Sequence, residues 1–353
     1  MVEEERGPTG PEGPHTCRVA TGHHVAGVEI VLDVAVHPGR PCGAGEGAGE
    51  GATRVAGRRV PVLLLAGLGA QRIDWPEGLL RELIGAGYDV ITFDNRDAGA
   101  STVLPGPVPE TEVLRALAAA PSGSTSEAPS GSTSAAPSAS GPPYRLVDLA
   151  ADAVAVLDHL DVHAAHVLGR SMGGMVAQHL AARWPERVRS LTVLASTSGA
   201  DDVGRPTPEA ADALTAPTPS DRAGILAAGV ARGRLTGSPG WYDEADAHRR
   251  LAARYDRGHH PEGTARQLWA ILADPDRTPM LAGVVAPTLV LHGELDPLVT
   301  PSGGAAVAAA IAGARVELIA DLGHDLPVGL LHRLTEPLLA HLDAVDAPTT
   351  GSG

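Results

Sequence analysis

The chain contains no lysine and a single phenylalanine, and aromatic residues make up only 3% of its 353 residues. Any core must therefore be built from Ala, Val and Leu. All cations are arginines; together with abundant Ala, Gly and Pro, this suggests a GC-rich genome and has no mechanistic meaning. Charge of positive sign is scarce overall, with 27 basic against 42 acidic residues and a formal net charge of −15. An acidic surface repels phosphate backbones, which excludes a general nucleic-acid role. Cysteine is limited to Cys17 and Cys42, both near the N-terminus and outside the segments that read as core. Two free thiols in a reducing cytoplasm is the simpler reading, and neither has metal-site spacing. The longest apolar run, residues 60–66, is far too short to span a bilayer. The opening MVEEERGPTGPEGP is acidic and lacks the apolar stretch of a signal peptide. These absences point to a cytoplasmic protein with no membrane partner.

Apolar residues are nonetheless 43% of the chain, enough for one large α/β domain with insertions. Residues 1–16 are rich in Pro, Gly and Glu and read as disordered. Val28, Ile30, Leu32, Val34 and Val36 alternate with polar residues, the period of a half-buried strand in an antiparallel hairpin at a sheet edge. Residues 38–57 are Gly-rich and read as a flexible excursion. From residue 60, short apolar runs alternate with helical stretches. Strands are expected at 60–66, 90–93, 165–168, 191–195, 288–291 and 316–319. Helices are expected around Leu79–Ile84, ended by Gly87, and along the stripe Leu146, Leu149, Ala153, Val156, Leu157 and Leu160, with Asp148, Asp152 and His159 opposite. A last helix spans 330–345, with Pro337 inside it. Such alternation implies a mostly parallel, doubly wound sheet covered on both faces. The repeated Ser-Gly-Ser-Thr-Ser units within 120–143 are low in complexity and read as a disordered loop, part of a flexible insertion over about 105–143. Residues 199–280 lose the strand pattern and read as several helices.

The strongest chemical signal is Gly169-Arg170-Ser171-Met172-Gly173-Gly174. By pattern alone, G-x-S-x-G arises by chance in a Gly-rich chain. A strand before it and a helix after it make it specific. A nucleophile on such a sharp turn needs small neighbours two residues away, which Gly169 and Gly173 supply. The helix opening at Met172 points its N–H groups at the site, where negative charge is stabilised. The loop Ala66-Gly67-Leu68-Gly69-Ala70-Gln71 follows the first core strand. In this architecture that loop and the residue after the nucleophile each give one backbone N–H to an oxyanion hole. Leu68 and Met172 are the assignments, with Gly67 or Gly69 as alternatives to Leu68. Asp296, in HGELDP after the strand at 288–291, is the expected acid, with Glu294 as its competitor. His324, in DLGHD after the last strand, is the expected base. Fifteen His make a lone one uninformative; order and placement single out His324. The order Ser171, Asp296, His324 is the one this fold uses. The adjacent pairs His23-His24 and His259-His260 have diverging side chains and no carboxylate-rich loop beside them, so no metal is expected. No phosphate or nucleotide motif is present, so no cofactor is expected.

With these residues in place, the chain resembles the α/β-hydrolase superfamily from about residue 28 to 345. The stretch SMGGMVAQHLAARWPERVRSLTVLAST resembles bacterial 3-oxoadipate enol-lactonases. GLGAQRIDWP, FDNRDAGAST and GELDPLVTP resemble the aclacinomycin methylesterase group of actinobacterial esterases. The resemblance implies a hydrolase core over 17–198 and 281–346, a helical cap over 199–280 inserted before the acid-bearing strand, and a disordered tail over 347–353. It also implies a cofactor-free reaction on a small-molecule carboxylic ester or lactone. The His-Gly pair common in the family's oxyanion loop is Ala66-Gly67 here, a departure the methylesterase group shares. Relatives with an Asp nucleophile are disfavoured by Ser171. Asp94, Asn95 and Arg96 match a loop frequent in the superfamily and read as a structural ion pair or turn. In the cap, Trp241, Tyr242, Tyr255 and Trp269 are candidates for pocket or cap core, and Arg266 and Gln267 for facing the site. C–C bond hydrolysis of a diketone, or perhydrolase or haloperoxidase chemistry, would use the same triad. A binding protein on a hydrolase fold is the reading from a different class.

Overall fold

The computed structural model describes residues 13–39, 59–119 and 141–347. The excursion after residue 39, most of the Ser-rich insertion, Cys42 and the tail from residue 348 lie outside the described residues. Two strands, β1 (His15–Val25) and β2 (Val28–His37), form an antiparallel hairpin at one sheet edge. Then come β3 (Val62–Leu65), β4 (Val90–Phe93), β5 (Ala165–Arg170), β6 (Val188–Leu194), β7 (Thr288–Gly293) and β8 (Arg315–Ile319). The spatial order is β1-β2-β4-β3-β5-β6-β7-β8. β2 meets β4 antiparallel, and every pairing from β4 onward is parallel.

The helices are α1 (Glu77–Gly85), α2 (Thr111–Ala119), α3 (Leu146–His159), α4 (Met172–Arg183), α5 (Pro208–Leu214), α6 (Arg222–Thr236), α7 (Glu244–Arg257), α8 (Pro261–Leu272), α9 (Thr278–Leu281), α10 (Ser302–Ala310) and α11 (Leu331–Asp346). The period-two pleat divides the central strands between two cores. On β3, Leu63 and Leu65 join α3, α4 and α10, while Val62 and Leu64 join α1 and α11. This is why the central strands read as unbroken apolar runs: both faces are covered. Helices α5 to α9 form an insertion between β6 and β7. Among the described residues, no helix is long and apolar enough to cross a membrane.

Three expectations are corrected. Strand β1 starts at His15, inside the stretch read as disordered to residue 16. In β1 only Val19 is buried, so its sequence carries almost no pattern; backbone pairing with β2 holds it. The connecting turn uses Ala26 and Gly27, both at positive φ, as a two-residue hairpin requires. The flexible insertion over 105–143 contains α2, whose Leu114 is buried and which lies against α8. The Ser-rich flank obscured this short helical pattern. Finally, Asp152, placed opposite the apolar stripe of α3, is fully buried and takes both ends of the Arg96 guanidinium at 2.7 and 2.6 Å. A buried carboxylate is tolerated there because a fork-shaped cation neutralises it. His23, on β1, also contacts Asp152 at 3.0 Å.

Several buried histidines tie the lower sheet to acid stability. Burial, helped by Arg315 and His166, pushes His341 on α11 down to about 4. Burial also pushes His166 on β5 and His292 on β7 below the usual imidazole range. A histidine whose folded pKa lies below its unfolded value near 6.5 stabilises the fold fully above that value. That contribution is lost as pH falls from about 6.5 toward 4. The thermal midpoint is expected to drop across this window, and His341→Leu should flatten the slope even if its midpoint at neutral pH is lower. An unchanged slope would contradict the assignment.

Candidate active site

Four loops meet at the carboxyl ends of β3, β5, β7 and β8. Strand order runs outward from β3 in both directions, so the ends flank the point where the winding reverses, the usual place for a cleft. Ser171 caps the N-terminus of α4 at φ 55°, ψ −120°. A serine in that region is strained by about 1–3 kcal/mol and persists because its surroundings hold it. Its N–H donates to the Leu194 carbonyl at 2.9 Å, and the Ser196 hydroxyl donates to its carbonyl at 2.8 Å. The flanking glycines are sterically obligatory. A Cβ on Gly173 would stand 1.9 Å from the Leu65 carbonyl oxygen, and one on Gly169 would stand 2.2 Å from the Gly173 oxygen.

His324 bridges Ser171 and Asp296. Its Nε2 lies 3.1 Å from Ser171 Oγ and its Nδ1 lies 2.7 Å from Asp296 Oδ2. The other Asp296 oxygen accepts the Leu298 and Val299 amides, each at 2.9 Å. Burial pushes the Asp296 carboxyl up. The charge of His324, its hydrogen bond and the Val299 amide outweigh burial and hold it below the usual range. A charged Asp296 requires the proton on His324 Nδ1 and leaves the Nε2 lone pair facing the serine hydroxyl. The competitor, Glu294, is exposed. The geometry thus brings together the three residues singled out from sequence.

The loop after β3 approaches the same point. A Cβ on Gly67 would lie 3.4 Å from Ser171 Cβ. The Ala70 amide closes a turn onto the Gly67 carbonyl at 3.1 Å, and the Gly69 amide donates to Gln267 Oε1 at 2.8 Å. Gly69, one alternative to Leu68, therefore has its N–H engaged elsewhere. Met172 opens α4, so its amide is one of the helix's orphan donors.

The helical insertion supplies contacts that sequence reasoning missed. The His324 amide donates to the Thr236 carbonyl at 2.7 Å, at the end of α6. The Gly323 amide donates to Ser238 Oγ at 2.9 Å, and the Ser238 amide to Asp325 Oδ1 at 2.8 Å. The Arg170 guanidinium donates to the His324 carbonyl. These contacts join residues distant along the chain, and no local motif announces them. Arg266, a candidate for facing the site, instead holds Asp97 with two bonds of 2.9 Å, and Tyr144 donates to the same carboxylate at 2.7 Å. Asp94 is likewise structural, accepting the Arg72 and Ala100 amides and pairing with Arg257. Of the insertion's aromatics, Trp241 is exposed against Gly329, Tyr242 donates to the Val230 carbonyl at 2.9 Å, and Tyr255 stacks on His259.

A family model described as the alpha/beta hydrolase fold matches residues 60–328. The chain belongs to the α/β-hydrolase fold family. Among this hydrolase's curated relatives is rhodomycin D methylesterase DnrP of Streptomyces peucetius, 30% identical over 306 residues, which covers 80% of this chain and 91% of the relative. Another is 3-oxoadipate enol-lactonase 2 of Acinetobacter baylyi, 30% identical over 168 residues, covering 46% of this chain and 58% of the relative. Among solved structures, the enol-lactonase from Burkholderia xenovorans LB400 shares the fold with a TM-score of 0.61 at 23% identity, covering 90% of this chain and 98% of that one.

Proposed function

We propose that this α/β hydrolase is a serine hydrolase that cleaves a carboxylic ester or lactone of a small molecule through an acyl-enzyme. The observation that carries this reading is the Ser171–His324–Asp296 chain of contacts at 3.1 and 2.7 Å. His324 Nε2 takes the hydroxyl proton as Ser171 Oγ attacks the carbonyl carbon. Asp296 holds the tautomer and stabilises the imidazolium that forms. The amides of Leu68 and Met172 receive the oxyanion, in a site where the N-terminus of α4 already favours negative charge. The imidazolium then protonates the departing alkoxide. Water, activated by the same His324, hydrolyses the acyl-serine and restores the enzyme. Residues 199–280 act as the cap that shapes the acyl or alcohol pocket. No cofactor or metal enters any step.

The carboxylic-ester reading draws support from the methylesterase relative, because that match extends over nine-tenths of the relative's length. A substrate panel tests it. Purified protein is assayed on a methyl ester, a small lactone, a vinylogous 1,3-diketone, and acetate with hydrogen peroxide. The expected result is a kcat/KM for ester or lactone at least tenfold above the others. Diketone cleavage or peracid formation that far exceeds ester hydrolysis would overturn the reading.

A further inference from the structure

We infer that Gln267, on α8 of the helical insertion, is a positioning residue that sets the orientation of the oxyanion loop and so couples seating of the insertion to catalysis. The inference rests on the proposed role of Leu68 and deepens it. Gln267 is fully buried. Its Oε1 accepts the Gly69 amide and its Nε2 donates to the Arg96 carbonyl, both at 2.8 Å. One carboxamide therefore ties the loop after β3 to the loop after β4. Donor and acceptor ends are both satisfied, which an apolar side chain of the same shape could not do. The Gly69 N–H belongs to the peptide plane that follows Leu68, so anchoring it limits rotation of the Leu68 backbone.

The neighbours of Gln267 restrict the same loops. Gly69 sits at φ 61°, and a Cβ on it would meet Thr264 Oγ1 of α8 at 2.8 Å. A Cβ on Gly263 would meet the Asp97 carbonyl oxygen at 2.2 Å. Arg266 locks α8 to the buried Asp97. The first turns of α8 thus rest on the backbone of both loops, with Gln267 making the contact closest to the reacting centre. Donors aimed at developing negative charge act mainly in the transition state. Loosening this loop should lower kcat and leave KM nearly unchanged.

The test compares wild type, Gln267→Leu and Gln267→Glu on p-nitrophenyl acetate, with fluorophosphonate labelling alongside and folded fraction measured by circular dichroism at each pH. Gln267→Leu is expected to lose about ten- to a hundredfold in kcat per folded molecule, with KM within about twofold. Gln267→Glu preserves shape and carries the test where the leucine variant does not fold. A neutral carboxylic acid there can accept from Gly69 and donate to Arg96; a carboxylate would face the Arg96 carbonyl oxygen. Burial and that oxygen disfavour the charged form. Activity of Gln267→Glu should therefore approach wild type at low pH and fall as pH rises through the introduced carboxyl's pKa, while wild type gains no such limb. Labelled wild type with Gln267→Leu at full kcat, or with Gln267→Glu following the wild-type pH profile, overturns this inference alone. Unlabelled, folded wild type overturns the serine-hydrolase reading and this inference with it.

Discussion

Ser171→Ala is expected to lower kcat for esters by a factor on the order of 10⁶ while the protein stays folded. In the proposed reaction the hydroxyl is the group that attacks, and its side-chain partner is His324 Nε2. Alanine keeps the Cβ at the same φ of 55°, so backbone strain at the elbow is unchanged. The bonds that hold the turn are made by the Ser171 N–H and carbonyl, which alanine also has. Steady-state turnover and a thermal melt check both halves. Residual activity within a hundredfold of wild type would assign the attack to another group.

Asp296→Asn is expected to lower kcat about 10⁴-fold for a different reason. Asparagine fits the space, and its carbonyl can still accept the Leu298 and Val299 amides. Its NH₂ then faces His324 Nδ1, where a carboxylate oxygen stood at 2.7 Å. An NH₂ there demands an acceptor, so the imidazole proton moves to Nε2. That nitrogen then points a hydrogen at Ser171 Oγ and cannot act as base. The substitution also removes a carboxylate held below its usual range. Such a group stabilises the fold above its unfolded pKa and loses that contribution as pH falls through the folded value. The variant should therefore be less stable than wild type at neutral pH and lose less on acidification. A kcat within tenfold of wild type would contradict the tautomer argument.

The three residues of the proposed triad, which the structure brings together, were legible in sequence because each follows a strand end with a local signature. Ser171 stands between two glycines that sterics make obligatory. Asp296 and His324 follow apolar runs long enough to read as strands. The sheet was legible for the same reason, since strands buried on both faces are continuous runs of Val, Ile and Leu. What escaped detection depends on contacts distant along the chain. β1 has one buried side chain and is held by the backbone of β2. Asp152 on α3 looked solvated until Arg96, 56 positions away, was placed against it. Gln267 reads only as a candidate for facing the site; its contact with the Gly69 amide, 198 positions away, leaves no motif. The same holds for Thr236 and Ser238, whose backbone and hydroxyl brace the His324 loop. A carboxamide or carbonyl partner leaves no spacing to read, whereas a nucleophile elbow does.

The central claim is that Ser171 is the nucleophile, and fluorophosphonate labelling followed by peptide mapping tests it most directly. The account predicts a single adduct on the peptide that carries Ser171, no adduct in Ser171→Ala, and labelling slowed by orders of magnitude in His324→Ala. An adduct on a different residue, or a folded wild type that takes no label, would contradict it.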